Sequence, residues 1–318
     1  MRVVTADEVH AALPYPTLIG ALDAAFRADS TVPVRHHHSL PRPDGDAMLL
    51  LMPAWTDSGE RYLGCKMVTV FPGNAARGRP SVDGSYVLLS GETGAPLAVI
   101  DGRALTARRT AAASALAARH LAREDASQLA MIGAGALSGH LVRAHAAVRP
   151  IRRVTLWNRT PARAEALATR LATDGFEVTL AADCEAAVRS ADIVSCATLS
   201  SEPLVRGAWL KPGAHLDLVG GFSPTMREAD DDAVRRARVF VDTRAGALKE
   251  AGDLVDPIRR GVISEADVQG DLFDLCRARA QGRRTESEIT LFKSVGTAIE
   301  DLAAAMLVWR SITAQARA

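Results

Sequence analysis

The chain has 318 residues, of which 48% are hydrophobic and 24% charged, a composition typical of a globular protein large enough for two domains. The formal net charge of +1 and the lack of any apolar run of membrane-spanning length argue against a nucleic-acid partner and against a membrane protein. The N-terminus lacks the apolar stretch of a signal peptide, and the four cysteines are scattered without a CxxC pair, so we expect a reduced, cytoplasmic protein.

The N-terminal third of the chain predicts helices around an antiparallel sheet. Apolar spacing predicts a helix over 5–29, which Thr5 or Asp7 can cap. Short β-like runs broken by Gly, Pro and Asp turns predict a sheet with hairpins over 32–99. An alanine-rich segment then predicts a long helix over 106–121, which leads into the next domain.

A dinucleotide-binding βαβ unit is the most specific feature of the sequence. QLAMIGAGALSG over 128–139 predicts a strand, a glycine turn and a helix, and VTLWNRT over 154–160 predicts the next strand. Gly133 permits the tight turn, and Gly135 lets backbone N–H groups approach a pyrophosphate at the helix N-terminus. Small Ser138 occupies the third position of the fingerprint. A glycine fingerprint alone is weak, but here the flanking strands and helix agree with it.

The end of the second strand of this unit predicts the cofactor. An NAD site usually carries Asp or Glu there for the ribose 2′-hydroxyl, whereas this chain has Asn158, Arg159 and Thr160. A guanidinium and two hydrogen-bonding side chains suit a 2′-phosphate. We therefore predict NADPH, with NADH as a weaker alternative.

Beyond this unit, strands and helices alternate, which predicts a doubly wound parallel sheet of the Rossmann type. A final amphipathic helix has no strand after it, so we expect it to return to the first domain. The predicted domains are a substrate domain over 1–118 and 294–318 and a dinucleotide-binding domain over 119–293. The predicted elements are a helix over 161–172, strands over 177–181, 193–197, 215–219 and 239–241, and a helix over 294–311.

Three cations stand in contexts that suggest a substrate pocket, since hydride transfer commonly needs a carboxylate held by arginine. Arg35 follows Pro33-Val34 at a strand start, and Arg109 lies in the first turn of the alanine-rich helix. Most lysines and arginines are solvated surface charges. Lys66 differs because it lies in the apolar strand GCKMVTVF, where burying a lysine without a partner is costly.

The run His36-His37-His38 does not predict a metal site. Neighbours in a strand point to opposite faces, so at most two of these rings could share one face. No carboxylate or cysteine stands at ligand spacing, and neither an HExxH nor a GxSxG motif occurs. We expect no metal.

Segments distributed over nearly the whole chain, in order and with the expected spacing, resemble the ornithine cyclodeaminase/mu-crystallin family. The segments similar to ITAKRTAA and FKSxG are rather specific to it. The matching segments are PVRHH from Pro33, GCKMVTVFP from Gly64, APLAVIDGRALTARRTAAASALAARHL from Ala95, IGAGALSGH from Ile132, VTLWNRT from Val154, KPGAHLDLVGGF from Lys211 and LFKSVGTAIEDLAAA from Leu291.

The resemblance implies a Rossmann-type domain and an α+β substrate and dimerisation domain formed by both chain termini, with a homodimer built on the sheet of the latter. It implies that Arg35 and Arg109 bind the substrate carboxylate, and that Lys66 lies beside the reacting carbon–nitrogen bond. The implied cofactor contacts are Gly133, Ala134, Gly135, Ala136, Leu137, Ser138, Asn158, Arg159 and Thr160, with Thr198 and Val219 on the nicotinamide side and Lys293 and Ser294 near the nucleotide.

Two departures from the family pattern predict the subclass. Ornithine cyclodeaminases carry Asp after a Gly-Gly pair, where it handles the amine of ornithine, but here Phe222 follows Gly220-Gly221. The glutamine that cyclodeaminases often have in the glycine loop is replaced by Leu137. Both changes favour the branch similar to Δ1-pyrroline-2-carboxylate reductases.

The sequence therefore predicts an oxidoreductase that uses NADPH to reduce a cyclic ketimine carboxylate, in proline metabolism. The expected products are L-proline from Δ1-pyrroline-2-carboxylate or L-pipecolate from Δ1-piperideine-2-carboxylate, so the partner is a small cyclic imino acid. The alternatives are an ornithine cyclodeaminase, an alanine-dehydrogenase-like enzyme that aminates a 2-oxo acid, and a non-catalytic NADPH-binding protein.

Overall fold

The computed structural model describes residues 1–42 and 45–315, so residues 316–318 of the predicted terminal segment lie outside the described ranges. The strands are β1 (Arg2–Val4), β2 (Ser30–Thr31), β3 (His36–Leu40), β4 (Ala47–Thr56), β5 (Tyr62–Val70), β6 (Val82–Ser90), β7 (Pro96–Asp101), β8 (Gln128–Ile132), β9 (Arg153–Trp157), β10 (Glu177–Leu180), β11 (Ile193–Cys196), β12 (His215–Leu218), β13 (Ala237–Val241), β14 (Val268–Asp271) and β15 (Ile289–Lys293). The helices are α1 (Ala6–Ala12), α2 (Tyr15–Arg27), α3 (Gly102–Leu121), α4 (Ser138–Ala146), α5 (Pro161–Thr173), α6 (Cys184–Ser190), α7 (Asp231–Arg236), α8 (Arg244–Glu250), α9 (Gly252–Arg259), α10 (Leu272–Cys276) and α11 (Ala298–Gln315).

The chain divides into two compact units. The first unit comprises Met1–Arg109 and the chain from Thr297 onward, and the second unit comprises Thr110–Gly296. The observed division inside α3 comes earlier than the predicted boundary after residue 118, and the return to the first unit comes slightly later than the predicted boundary before residue 294. The predicted α/β fold class is confirmed.

The sheet of the first unit has the strand order β1-β7-β6-β5-β4-β2, with β3 also paired to β4. Its neighbours are antiparallel, except that β1 pairs with β7 in parallel. Helix α11 packs on β4, β5 and β6, and it also contacts α1 and α2. Leu18, Leu22 and Phe26 of α2 are fully buried because they recur on one face of that helix, and Leu302 and Val308 of α11 are fully buried as well.

The N-terminal helix predicted over 5–29 is two helices. Thr5 caps α1 in a capping box with Glu8, as the sequence suggests, and the helix ends before Leu13. Pro14 then precedes α2. A proline disfavours helical geometry in the residue before it and lacks the N–H that a continuous helix would use, so the predicted single helix is wrong at this point.

Two other helix starts differ from the prediction. Helix α3 begins at Gly102, because the Asp101 carboxylate accepts the N–H of Ala104 at 2.8 Å. Arg109 therefore lies beyond the first turn of that helix. Helix α11 begins at Ala298 and not at 294, because residues 289–293 form the strand β15, and it is buried around most of its circumference where an amphipathic helix was predicted.

The sheet of the second unit is parallel throughout, with the order β10-β9-β8-β11-β12-β15-β13-β14. The strands predicted over 177–181, 193–197, 215–219 and 239–241 are present as β10, β11, β12 and β13. Chain order reverses on the two sides of β8, so the carboxyl ends of β8, β9 and β11 meet at a topological switch point, where ligands bind in this architecture. No helix in the described chain combines the length and the hydropathy needed to span a bilayer.

Candidate active site

The glycine turn after β8 is shaped by close backbone packing. Gly133 has φ +106°, a conformation that L side chains rarely adopt, and a Cβ there would lie 2.7 Å from the carbonyl oxygen of Ala197. By contrast, a Cβ at Gly135 would meet no atom within 4 Å. The first glycine is therefore required by the fold, and the second faces open space into which a ligand can approach.

Two predicted cofactor contacts hold the turn in place. The Ser138 hydroxyl accepts the N–H of Gly135 at 3.0 Å. The amide oxygen of Asn158 accepts the N–H of Ala134 at 3.1 Å, and its nitrogen donates to the carbonyl of Thr160 at 2.8 Å. Asn158 thus ties the turn after β8 to the loop after β9, a role that the sequence interpretation did not foresee.

A cleft of about 530 Å³ opens at the carboxyl ends of β8, β9 and β11. Its volume is within the range of small-molecule sites. The structure brings seven predicted residues to its lining: Gly133, Ala134, Gly135, Asn158, Arg159, Thr160 and Thr198. The lining residues that the sequence did not predict are Trp157, Arg163, Ala197, Leu199, Ser200, Ser201, Glu202 and Leu204.

Arg163 is the most informative of the missed residues. It lies in the first turn of α5, four positions after Arg159, and both side chains are exposed. Arg159 lies in the loop before α5, and both arginines line the cleft. A second arginine so soon after Arg159 was a signal that the sequence contained. Two guanidinium groups therefore face the end of the cleft formed by β9.

The other predicted cofactor and pocket residues do not line the cleft. Ala136 and Leu137 precede α4, which begins at Ser138. Val219 follows β12 and is 7% exposed, and Phe222 is 42% exposed in the next loop. Ser294 is buried, and its N–H donates to the carbonyl of Leu218. The Lys293 side chain is fully buried, with Nζ 3.1 Å from Asp253 Oδ2.

The residues of the cleft fit a nicotinamide dinucleotide. Open space at Gly135 and the N-terminus of α4 suit a pyrophosphate. Arg159 and Arg163 would lie at the ribose of the adenosine half, and Thr198 would lie towards the nicotinamide, because β11 is on the far side of β8 from β9.

Two of the three predicted substrate cations, Lys66 and Arg109, meet in the first unit on a buried carboxylate of α11. Lys66 Nζ lies 3.0 Å from Asp301 Oδ1 and 2.8 Å from Oδ2. Arg109 donates from Nε to the same Oδ1 at 2.9 Å and from Nη1 to Glu300 Oε2 at 2.6 Å. Lys66 is 2% exposed and Arg109 is 4% exposed, so these are buried ion pairs.

This network determines the protonation of its members. Burial, aided by the charge of Arg109, lowers the pKa of Lys66 to about 8 against the opposing effect of Asp301. Burial alone would lower the pKa of Arg109, but Asp301 and Glu300 raise it overall. Burial would raise the pKa of Asp301, but the two cations hold it below its usual value. Lys66 is the member that can exchange a proton near neutral pH.

The strand pairing places Lys66 on the inward face of its sheet. Lys66 pairs with Met52 and Tyr86, and all three are buried. A Cβ at Gly64 would lie 2.2 Å from the Tyr86 hydroxyl, so the glycine of the GCK motif makes room for that ring. Arg35 is half-buried just before β3, and its charge also lowers the pKa of Lys66.

Sequence reasoning missed both acids of this network. Glu300 and Asp301 lie near the start of α11, where acidic side chains are ordinary for a helix. They lie about two hundred residues along the sequence from their partners, and no local sequence pattern indicates such a contact. An adjacent pair of acids within the otherwise apolar run AIEDLAAA was the available signal.

The comparisons with known proteins agree with this geometry. The model of the ornithine cyclodeaminase/mu-crystallin family matches residues 1–316. The chain belongs to this family. A Δ1-pyrroline-2-carboxylate reductase of Paracoccus denitrificans is 43% identical over 293 residues, which cover 89% of this chain and 92% of that protein.

Two solved structures are similar over their whole length. The Thermococcus litoralis Δ1-pyrroline-2-carboxylate reductase in complex with NADH and L-proline has a TM-score of 0.95 at 32% identity, covering 99% of this chain and 98% of that one. An archaeal alanine dehydrogenase dimer with bound NAD has a TM-score of 0.91 at 29% identity, covering 99% and 97%. The predicted family and enzyme class are confirmed: the chain is an oxidoreductase that uses a nicotinamide cofactor.

Proposed function

We propose that this protein reduces cyclic ketimine carboxylates with NADPH, converting Δ1-pyrroline-2-carboxylate to L-proline or Δ1-piperideine-2-carboxylate to L-pipecolate. The observation that carries the proposal is the buried arrangement of Lys66 and Arg109 around Asp301. A protein that only binds a nucleotide has no use for a desolvated lysine of lowered pKa in its other unit.

The residues of the first unit have separate tasks. Arg35 and Arg109 bind the substrate carboxylate, and Asp301 and Glu300 orient the Arg109 guanidinium. Lys66 lies beside the carbon–nitrogen bond and either stabilises the carboxylate or supplies the imine proton, and both roles require its ammonium form. A bound nicotinamide supplies the hydride.

The NADPH preference is supported by the charged residues that line the cleft. Arg159 and Arg163 stand where an NAD site carries an acidic residue. The acidic residue that lines this cleft, Glu202, lies on the loop after β11, away from the end of β9. The Thermococcus litoralis relative is in complex with NADH, so preference for the phosphorylated cofactor is proposed for this chain on its own arginines.

Phe222 distinguishes between the two reactions of the family, imine reduction and cyclodeamination. Its side chain is 42% exposed after the Gly220-Gly221 pair, and a phenyl ring can neither accept a proton nor hold an ammonium group. Cyclodeamination needs an anion or base for the second amine, whereas imine reduction needs a held carboxylate and a hydride. We therefore propose the reductase and not the cyclodeaminase reaction.

A panel assay tests the substrate. NADPH oxidation is followed with pyrroline-2-carboxylate, piperideine-2-carboxylate and open-chain 2-oxo acids with and without amines, and ammonia release is followed with L-ornithine and NAD. The expected result is turnover of a cyclic imine and no ammonia from ornithine. Robust ornithine turnover, or turnover only with a 2-oxo acid and an amine, would overturn the proposed substrate and leave the family unaffected.

A homodimer is part of the proposal. Leu51 of β4, Met67 of β5 and Val87 of β6 point away from the face that carries Lys66, because side chains alternate along a strand. Met67 is 40% exposed and Trp55 of the same face is 39% exposed. Such a face suits a second copy, and the similar alanine dehydrogenase is a dimer. The cytoplasmic location and the role in proline metabolism remain predictions.

A further inference from the structure

Glu228 is a fully buried glutamate in the loop after β12. Its Oε1 accepts the N–H of Thr198 at 2.7 Å and the Thr198 hydroxyl at 2.9 Å. Its Oε2 accepts the N–H of Gly220 at 2.7 Å and that of Gly221 at 3.4 Å. Thr198 follows β11 and Gly220 follows β12, so one carboxylate joins the ends of two neighbouring strands.

The backbones of the two strand ends touch at Gly220 and Thr198. A Cβ at Gly220 would lie 1.9 Å from the carbonyl oxygen of Thr198 and 2.3 Å from its nitrogen. The Glu228 carboxylate accepts one N–H from each of these touching backbones, so it orients the N–H groups of Thr198 and Gly220.

Other charged groups keep this carboxylate in place. The Glu228 N–H donates to Asp253 Oδ1 at 2.7 Å. Lys293 Nζ lies 3.1 Å from Asp253 Oδ2 and 4.0 Å from Glu228 Oε2, which is an ionic contact for Glu228. Burial raises the pKa of Glu228, and the charge of Lys293 opposes this effect. A buried ionic cluster contributes little net stability by itself, so a role in positioning accounts for this cluster better than a role in stability does.

The carboxylate acts on the cofactor cleft through residues 198–204, the cleft wall. Thr198 and Leu204, the ends of the wall, both line the cleft. Thr198 is bound to the Glu228 side chain, and the N–H of Leu204 donates to the Glu228 carbonyl at 3.0 Å. Both ends of the wall are therefore fixed to one residue.

We propose that Glu228 is a positioning residue for the nicotinamide cofactor, because its carboxylate and carbonyl hold the cleft wall in the shape that binds the nucleotide. The inference rests on the proposed function in one respect, which is that the cleft binds NADPH. Glu228 does not line the cleft, so its effect on binding passes through Thr198 and Leu204.

Equilibrium binding of NADPH to the full chain tests the proposal. Glu228→Gln places an amide NH₂ against backbone donors, and Glu228→Asp keeps the charge but is too short to reach both strand ends. We expect both variants to bind NADPH at least about tenfold more weakly, with a smaller change in the KM for the imine.

The matched control is Glu288→Gln, because Glu288 also accepts backbone N–H groups, from Arg284 and Thr285, but lies outside the cleft. It should lower Tm and leave the NADPH Kd unchanged.

The outcomes distinguish this inference from the proposed function. Unchanged NADPH affinity in a folded Gln or Asp variant would overturn the role of Glu228. If neither variant folds, amide hydrogen exchange of the unaltered protein decides: the N–H groups of Thr198 and Gly220 should exchange more slowly with NADPH bound, and no change would overturn the role. Failure of the unaltered protein to bind either nucleotide would instead overturn the proposed function.

Discussion

Arg159 illustrates how one side chain can select a cofactor. It directly follows the loop residue Asn158, which the glycine turn holds in place, so the guanidinium is carried on a fixed backbone. Arg159→Ala should weaken NADPH binding about 10- to 100-fold and leave NADH binding nearly unchanged, since a hydrogen bond to a charged group is typically worth roughly 1.5–3 kcal/mol. Titration of both nucleotides measures the two Kd values.

The control for that variant is Arg153→Ala. Arg153 is also exposed, but it lies at the start of β9, whereas Arg159 follows the end of that strand, and it does not line the cleft. It should change neither Kd. An equal loss of NADPH and NADH affinity in Arg159→Ala would show that the guanidinium does not recognise the 2′-phosphate.

Lys66 should determine the alkaline limb of the pH profile. Its lowered pKa of about 8 follows from burial and from the charge of Arg109. Because the ammonium form is the active one, kcat/KM for the imine should fall as pH rises through about 8 and approach a tenfold loss per pH unit above it.

Lys66→Met should abolish most turnover and spare NADPH binding, whereas Lys249→Met, at an exposed position of α8, should retain the wild-type profile. A flat wild-type profile up to about pH 10 would contradict this role.

At the scale of the element, α11 supplies the negative charge that the sheet of the first unit needs. Asp301→Asn should lower the free energy of unfolding by roughly 3–5 kcal/mol, because it breaks a buried ion pair and leaves Lys66 and Arg109 short of a partner. The charge of Asp301 raises the pKa of Lys66, so the alkaline limb should also move to lower pH. Urea unfolding and the pH profile measure the two effects.

Helix α11 also offers a matched exposed pair. Arg310 Nη2 lies 2.8 Å from Glu60 Oε2, and both side chains are about half exposed. Glu60→Gln should cost less than about 1 kcal/mol, since water screens exposed pairs. Equal effects of the two substitutions would mean that burial does not determine the contribution of Asp301.

The elements also show what a sequence can and cannot predict. The glycine turn and its flanking strands follow from local pattern, because each residue acts on its immediate neighbours. The apolar run around Lys66 likewise predicted that this lysine is paired or points to a polar cleft. The strand β15 and the pairing of Glu228 with Thr198 depend on contacts between distant segments, and no local period encodes them. The role of Asn158 was missed for a related reason: a polar side chain after a strand can serve the ligand or the backbone.

At the scale of the whole molecule, the sheet of the first unit has two faces with different tasks. One carries the buried cations, and the other carries the apolar side chains of β4, β5 and β6. Lys66 and Met67 are adjacent in the chain and point to opposite faces. A second copy that covers the outer face would remove Met67 and Trp55 from water without touching the cation network.

Light scattering should therefore return twice the chain mass of 33.7 kDa. Met67→Glu should shift the protein to the monomer, because an interface that buries an unpaired carboxylate is strongly disfavoured. Leu180→Glu is the matched control: Leu180 is 45% exposed on β10, the edge strand of the other sheet, and its substitution should leave the dimer intact. A monomeric wild-type protein would refute the dimer, and a dimeric Met67→Glu variant would place the interface on another face. Since Met67 lies in the first unit and does not line the cofactor cleft, the monomeric variant should still bind NADPH with wild-type affinity.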